Sequence, residues 1–283
     1  MHGIGIKITP MVIINMKLKI ILFVFLISFL CSGNSIIKPD ELIMFKKIED
    51  TELYLHAFYP PKIIKKDMNP AIVFFWGGGW YSENKTQFYP QSKYLSSLGI
   101  TCFCADYRVR SIHNVSPDQC VMDAKSAIRY IRENATSLFI DPNRIIASGG
   151  SAGGHLAAST ATLPLFDDHK DNLKISAVPN ALILFNPVLN TSNINRLGNL
   201  SKSLSPYHHL SSKTPPTLIM HGTSDIIVSH HQAEEFYEKM KDLKNICELQ
   251  LYDKMPHGFF NNKKFNETLK EVESFIRTLQ WIE

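Results

Sequence analysis

Between Ala71 and Ile282, short runs of β-forming apolar residues alternate with helical patterns, and this limits the chain to one fold class. The runs are Ala71–Trp76, Ile100–Tyr107, Arg144–Ser148, Ala181–Phe185, Thr217–His221 and Cys247–Tyr252. Most are apolar on both faces, as central strands of a parallel sheet must be when helices cover both sides. Two intervening helices carry start signals. Ser116-Pro117-Asp118-Gln119 reads as a capping box with proline at the first helical position, ahead of a stripe of Val121, Ala124, Ile128 and Ile131. Ser229 with Gln232 repeats the device before Ala233, Phe236, Met240 and Leu243, and a last helix is predicted from about Phe265 to Ile282. An antiparallel opening pair fits Met44–Lys47 and Leu53–Tyr59. The expected architecture is α/β, a mostly parallel twisted sheet with helices on both faces. With 45% of its 283 residues hydrophobic, the chain is neither disordered nor collagen-like.

Asn186 to Ser212 fits neither period. It is rich in Asn, Ser, Gly and Pro and follows the carboxyl end of a predicted strand, the edge where open α/β sheets bind ligands. The expectation is a small substrate-facing loop region over residues 186–212, with an ordinary surface excursion as the alternative.

The chemistry concentrates at similar edges. Gly149-Gly150-Ser151-Ala152-Gly153 lies between a predicted strand and a small-residue helix, the context a G-x-S-x-G nucleophile elbow requires. A sharp strand-to-helix turn brings neighbouring backbone close, so only small residues fit two places before and after the serine. The helix N-terminus favours developing negative charge there. Trp76-Gly77-Gly78-Gly79-Trp80 ends an earlier strand, and its glycines leave the backbone free to turn N–H groups into the site. The expected oxyanion donors are the N–H of Ala152 and that of Gly78 or Gly79.

A nucleophilic serine needs a base and a group to orient it. His257 lies just past the last predicted strand and Asp225 just past the preceding one. The order Ser151, Asp225, His257 is that of α/β-hydrolases. Asp253 is the rival acid; His155, His208, His209, His221, His230 and His231 are the rival bases, and none of them follows the last strand. His155 is expected to pack beside the elbow. Trp80 and Asn186 are the candidate substrate contacts.

The stretches FFWGGGW, DYRV, DAKSAIRYIREN, IDPNRIIASGGSAGGHLAA, LFNPVLNT, SPYHHL, PPTLIMHGTSD and PHGFF occur in that order from about Asp67 to Phe260. Over this span the chain resembles secreted carbohydrate esterases of the α/β-hydrolase fold, the acetyl-xylan or bifunctional acetyl-xylan/feruloyl esterase-like family. The resemblance implies a secreted serine esterase acting on short-acyl, acetyl-type esters, on plant polysaccharide such as xylan. A general short-chain carboxylesterase or a feruloyl esterase is the alternative. One departure stands out: the branch related to hormone-sensitive lipase has histidine before its glycines, and this chain has Trp76. An indole there must hold the loop mostly by packing. A dipeptidyl-peptidase-like peptidase shares the triad order, but too few residues precede the third strand for the propeller such enzymes carry.

The first 33 residues read as a signal peptide. Lys17 and Lys19 precede the apolar run Ile20–Cys31, and small residues follow it, with cleavage after Gly33 or Ser35. Met16 is a more conventional start than Met1. Export, secreted or periplasmic, follows. Leu30 argues against a lipid anchor at Cys31, and the run is short for a membrane span. The remaining residues, 34–283, are expected to form one domain. Loss of Lys7, Lys17 and Lys19 takes the formal charge from +4 to +1, which gives no electrostatic case for a nucleic-acid partner. No cofactor or metal is expected. Cys102 and Cys104 are expected to be buried and unbridged, while Cys120 and Cys247 could pair in an oxidising compartment.

Overall fold

Eight strands share a single sheet whose order is β1-β2-β4-β3-β5-β6-β7-β8. The computed structural model describes residues 37–61 and 68–283; the signal-peptide reading lies outside them. The span Pro39–Glu283 forms one compact unit. In chain order the strands are β1 (Glu41–Ile48), β2 (Thr51–Phe58), β3 (Asn69–Phe75), β4 (Thr101–Ala105), β5 (Ile140–Gly150), β6 (Ala181–Phe185), β7 (Thr217–Gly222) and β8 (Cys247–Tyr252). β1 and β2 are antiparallel, as is β2 with β4, and every other pairing is parallel. This is the α/β-hydrolase fold.

Strand residues alternate between two apolar layers because successive side chains point to opposite faces. Ala71, Val73 and Phe75 of β3 enter one layer with Leu182 and Leu184 of β6. Ile72, Phe74, Ile183 and Phe185 enter the other. Helices α1 (Tyr89–Ser97) and α5 (Phe265–Thr278) cover the second layer. Helices α2 (Pro117–Glu133), α3 (Ala152–Thr162) and α4 (His231–Asp242) cover the first. Both faces of β3, β4, β6 and β7 are therefore dry, which is why those runs lack a polar side, whereas the edge strand β8 is partly exposed and carries Glu248 and Gln250. Among the described residues no helix is long and apolar enough to cross a membrane.

Three local expectations need correction. Before α2, the Ser116 N–H does reach Gln119 Oε1 at 3.3 Å, as a capping box requires. Before α4 the second box is absent: Gln232 Oε1 instead accepts the N–H groups of Leu189 (3.0 Å) and Asn190 (2.9 Å), because that loop's donors have no ladder partner. The last helix stops at Thr278, and Gln280 in the left-handed region (φ 60°) turns the chain. Cys120 and Cys247 are both free thiols, as are Cys102 and Cys104. Cys120, in the first turns of α2, is fully buried with Sγ 3.2 Å from the Arg108 carbonyl oxygen, whereas Cys247 lies on the edge strand β8.

Candidate active site

Ser151 sits between β5 and α3 with φ 56° and ψ −120°, a conformation that non-glycine residues avoid. The turn is held by backbone: Ser151 N–H donates to Phe185 O (3.0 Å), while its carbonyl accepts from His155 N–H (3.0 Å) and Val188 N–H (3.2 Å). The flanking glycines are sterically required. A Cβ at Gly153 would stand 2.0 Å from Phe75 O, and one at Gly149 would stand 2.5 Å from the Gly153 carbonyl. The close approach thus joins the elbow to the neighbouring strand β3 as well as to itself.

β3 delivers the glycine loop to the same place. Gly77 N–H donates to Gln87 Oε1 at 2.6 Å. A Cβ at Gly78 would lie 2.3 Å from Ser82 O. Trp76 is held by packing, its ring stacked 4.4 Å from that of Tyr107, with Tyr107 Oη donating to its carbonyl at 2.9 Å. Its indole N–H is buried without an acceptor, so the side chain holds the loop by packing alone.

In this loop the hydrogen-bonding role falls to Trp80, the candidate substrate contact, which also lines a small surface pocket with Gly79, Arg110 and Arg196. Trp80 has φ 59° and is buried. Its Nε1–H donates to His155 Nδ1 at 3.2 Å, with the two rings edge to face. His155 Nε2 is 2.7 Å from Leu204 O, so it carries the proton and Nδ1 is the acceptor. Burial drives the imidazole pKa down to about 4, which keeps it neutral. The pair ties the glycine loop to α3 beside the elbow.

The loops after β7 and β8 carry the candidate acid and base. His257 Nδ1–H donates to Asp225 Oδ2 at 2.6 Å. Asp225 Oδ1 accepts the N–H groups of Ile227 and Val228, each at 2.9 Å. Burial alone would raise the Asp225 pKa, but hydrogen bonds from His221, His257 and these two N–H groups outweigh it and hold the carboxyl well below its ordinary range. His221 is the partner that sequence reasoning weighed only as a rival base: its Nε2 is 3.0 Å from Val228 O and 3.2 Å from Asp225 Oδ2. Asp253, the rival acid, is largely exposed; its contacts are Thr223 Oγ1 at 3.5 Å and Lys254 Nζ at 3.8 Å, and it does not meet His257.

Asn186, at the end of β6, is buried with φ 34°. Its Oδ1 accepts Gly258 N–H (3.0 Å), which turns Nδ2 to within 3.5 Å of His257 Nε2. It therefore braces the histidine loop. Ser151, His257, Asn186, Gly78 and Gly79 line one cavity of about 370 Å³, together with Gln87, Ile227 and Phe260. Ala152 N–H, at the first position of α3, has no acceptor within the helix. Ser151 Oγ and His257 Nε2 border this space without a hydrogen bond between them, an arrangement common before substrate enters. Ile226 and Ile227 follow the acid directly and are 97% and 71% exposed. Away from this cavity, His230, His231 and Glu234 at the start of α4 bring ligand atoms within 4.8 Å of one another and could hold a metal ion at the surface.

Comparison with known proteins places the fold among esterases. A profile of the BD-FAE family matches residues 56–192 and 184–240, and the chain belongs to that family. It is 29% identical over 237 residues to the probable carboxylic ester hydrolase LipM of Mycobacterium tuberculosis, covering 73% of this chain and 54% of that protein. It is 30% identical over 230 residues to an acetylxylan esterase of Xylanibacter ruminicola, covering 74% of this chain and 45% of the relative. The chain thus spans about half the length of the curated relatives it matches. Among solved structures, Thermogutta terrifontis esterase 2, phosphoramylated by tabun, is 42% identical with a TM-score of 0.83, covering 86% of this chain and 95% of that one. Another structure of the same esterase has propionate bound.

Proposed function

We propose that this chain is an exported serine esterase that hydrolyses short-acyl carboxylic esters, acetyl-type esters on plant polysaccharide such as xylan foremost. The observation that carries the hydrolase reading is the strained Ser151 turn opening onto the cavity that His257, paired with Asp225, also lines. In this reading His257 Nε2 takes the Ser151 proton as Oγ attacks the ester carbonyl carbon. The carbonyl oxygen gains negative charge and is met by the N–H groups of Ala152 and of Gly78 or Gly79. Collapse of the tetrahedral intermediate breaks the bond to the alcohol oxygen, which leaves with the proton from His257. Water, deprotonated by the same imidazole, then attacks the acyl-serine and releases the acid. Asp225 stays ionised throughout and stabilises the imidazolium.

The short-acyl part draws on the compact cavity walled by Phe260, and on the propionate held by the Thermogutta esterase. The polysaccharide part draws on the acetylxylan esterase relative and on the family resemblance. A general short-chain carboxylesterase is the second reading, favoured by the similarity to esterase 2 over nearly its whole length. Purified protein assayed on p-nitrophenyl acetate, acetylated xylan and feruloyl esters separates these readings. Ser151→Ala must lose nearly all activity; full activity in that variant would refute the mechanism. Turnover of p-nitrophenyl acetate without release of acetate from xylan would select the general esterase.

A further inference from the structure

We propose that the pocket beside the glycine loop is a subsite for a carboxylate on the substrate, held by Arg196 and Arg110, so that anionic esters are preferred to neutral ones of the same size. This rests on the esterase reading and names the substrate class for it.

Gly79 borders two spaces: the cavity of Ser151 and His257, and a neighbouring pocket whose walls include Arg110, Arg196 and Val115. The same two arginines also border an adjoining groove of about 310 Å³. Arg196 lies against the glycine loop itself, since a Cβ at Gly79 would be 3.9 Å from its Nη2. Its guanidinium also sits over the ring of Trp80, with Cζ 5.4 Å from the centroid. Both arginines are solvent-exposed, and stacking on an indole face leaves the N–H donors of Arg196 free.

Both arginines lack a carboxylate partner among the described residues. Elsewhere Arg108, Arg129, Arg144 and Arg277 are each paired with an aspartate or glutamate. No aspartate or glutamate lines either space, and Asp118 and Glu83 have partners of their own in Ser116 Oγ and Lys85. Two unpaired guanidinium groups facing a recess suit a planar anion, because the guanidinium fork matches a carboxylate in two parallel hydrogen bonds. Arg196 belongs to the turn Asn195–Leu200, within the irregular segment following β6. That segment thereby supplies a charge at the edge of the glycine loop that neither the strand nor the helix pattern would place there.

The carboxylate could be carried on either side of the ester, as a uronate in the sugar or as the free acid of a dicarboxylic acyl group. Two matched pairs distinguish these sources: acetylated methyl glucuronoside against acetylated methyl glucoside, and p-nitrophenyl hemisuccinate against p-nitrophenyl butyrate. The wild type should show kcat/KM at least about tenfold higher for the anionic member of one pair. The ratio should collapse towards one in Arg110→Gln/Arg196→Gln, and Arg196→Lys should keep part of it. Raising salt from about 0.05 to about 0.5 M should also erode the preference in the wild type, a readout independent of any variant's folding. A wild type that cleaves the neutral esters without preferring either anionic partner overturns the subsite alone. A preference that survives the double substitution, or is indifferent to salt, does the same. A wild type inactive on all four esters would instead overturn the esterase reading.

Discussion

His221 Nε2 lies 3.2 Å from Asp225 Oδ2, so two imidazoles converge on one carboxylate oxygen, the other being that of His257. The first is supplied by the last residues of β7 and the second by the loop after β8. Because the His221 N–H also meets Val228 O at 3.0 Å, it closes the short loop that carries the acid.

Replacing His221 with leucine should therefore misplace the acid. The expected result is a fall in kcat of about tenfold or more with KM little changed, since an interaction orienting the base matters most in the transition state. His221→Gln, which keeps a donor, should recover part of the loss. Steady-state kinetics on p-nitrophenyl acetate measure both; equal kcat in all three proteins would rule the role out.

Stability should depend on His155 at mildly acid pH. Its folded pKa of about 4 is below the ordinary value for histidine of about 6.5. The unfolded chain therefore takes up a proton as pH falls through about 6.5, while the folded chain waits until about 4. Stability declines across that window and is fully available only above it. On the order of 3 kcal/mol is at stake. Urea denaturation at a series of pH values should show the decline, and His155→Gln should flatten it.

Trp80→Phe keeps the ring but deletes the N–H that His155 Nδ1 accepts. A buried acceptor left unpaired costs about 1–3 kcal/mol. Chemical denaturation should register that loss. Activity should fall mainly in kcat, because the loop carrying Gly78 and Gly79 is no longer tied to α3.

Gly153→Ala is expected to prevent folding or to cost more than about 3 kcal/mol, since the new methyl would be forced onto Phe75 O and Trp76 O, neither of which can move without breaking β3. Gly79→Ala, whose new carbon meets nothing nearer than 3.9 Å, is the informative contrast. It strains the backbone at φ 64° but leaves the core alone, so it should express and fold. Soluble yield and thermal unfolding compare the two.

The sheet and its helices were legible because burial on both faces leaves a compositional mark, and because an elbow requires glycines at fixed distances from its serine. The positions of Ser151, Asp225 and His257, just past β5, β7 and β8, could be read from the strand pattern. Partners set by three-dimensional proximity were not legible. Nothing near Gln232 announces that its side chain serves residues 189 and 190, and Arg196 reaches the glycine loop from over a hundred residues away. Trp80 is a related case: its indole N–H meets His155, seventy-five residues on, a partner that nothing beside the glycine loop announces. His221 offered a usable signal in its spacing of four residues from Asp225, which the search for a single base passed over.

The two isoleucines after the acid have a separate consequence. Asp225 uses the backbone N–H at position 227, whereas the Ile227 side chain stands at the cavity mouth and the Ile226 side chain in solvent. What the chemistry requires of this segment is thus encoded in the main chain, and what a substrate meets is encoded in side chains that contribute little to the core. Any residue except proline can satisfy the first requirement at 227. The lip of the cavity can therefore diverge, by drift or by design, while the acid beneath it stays in place.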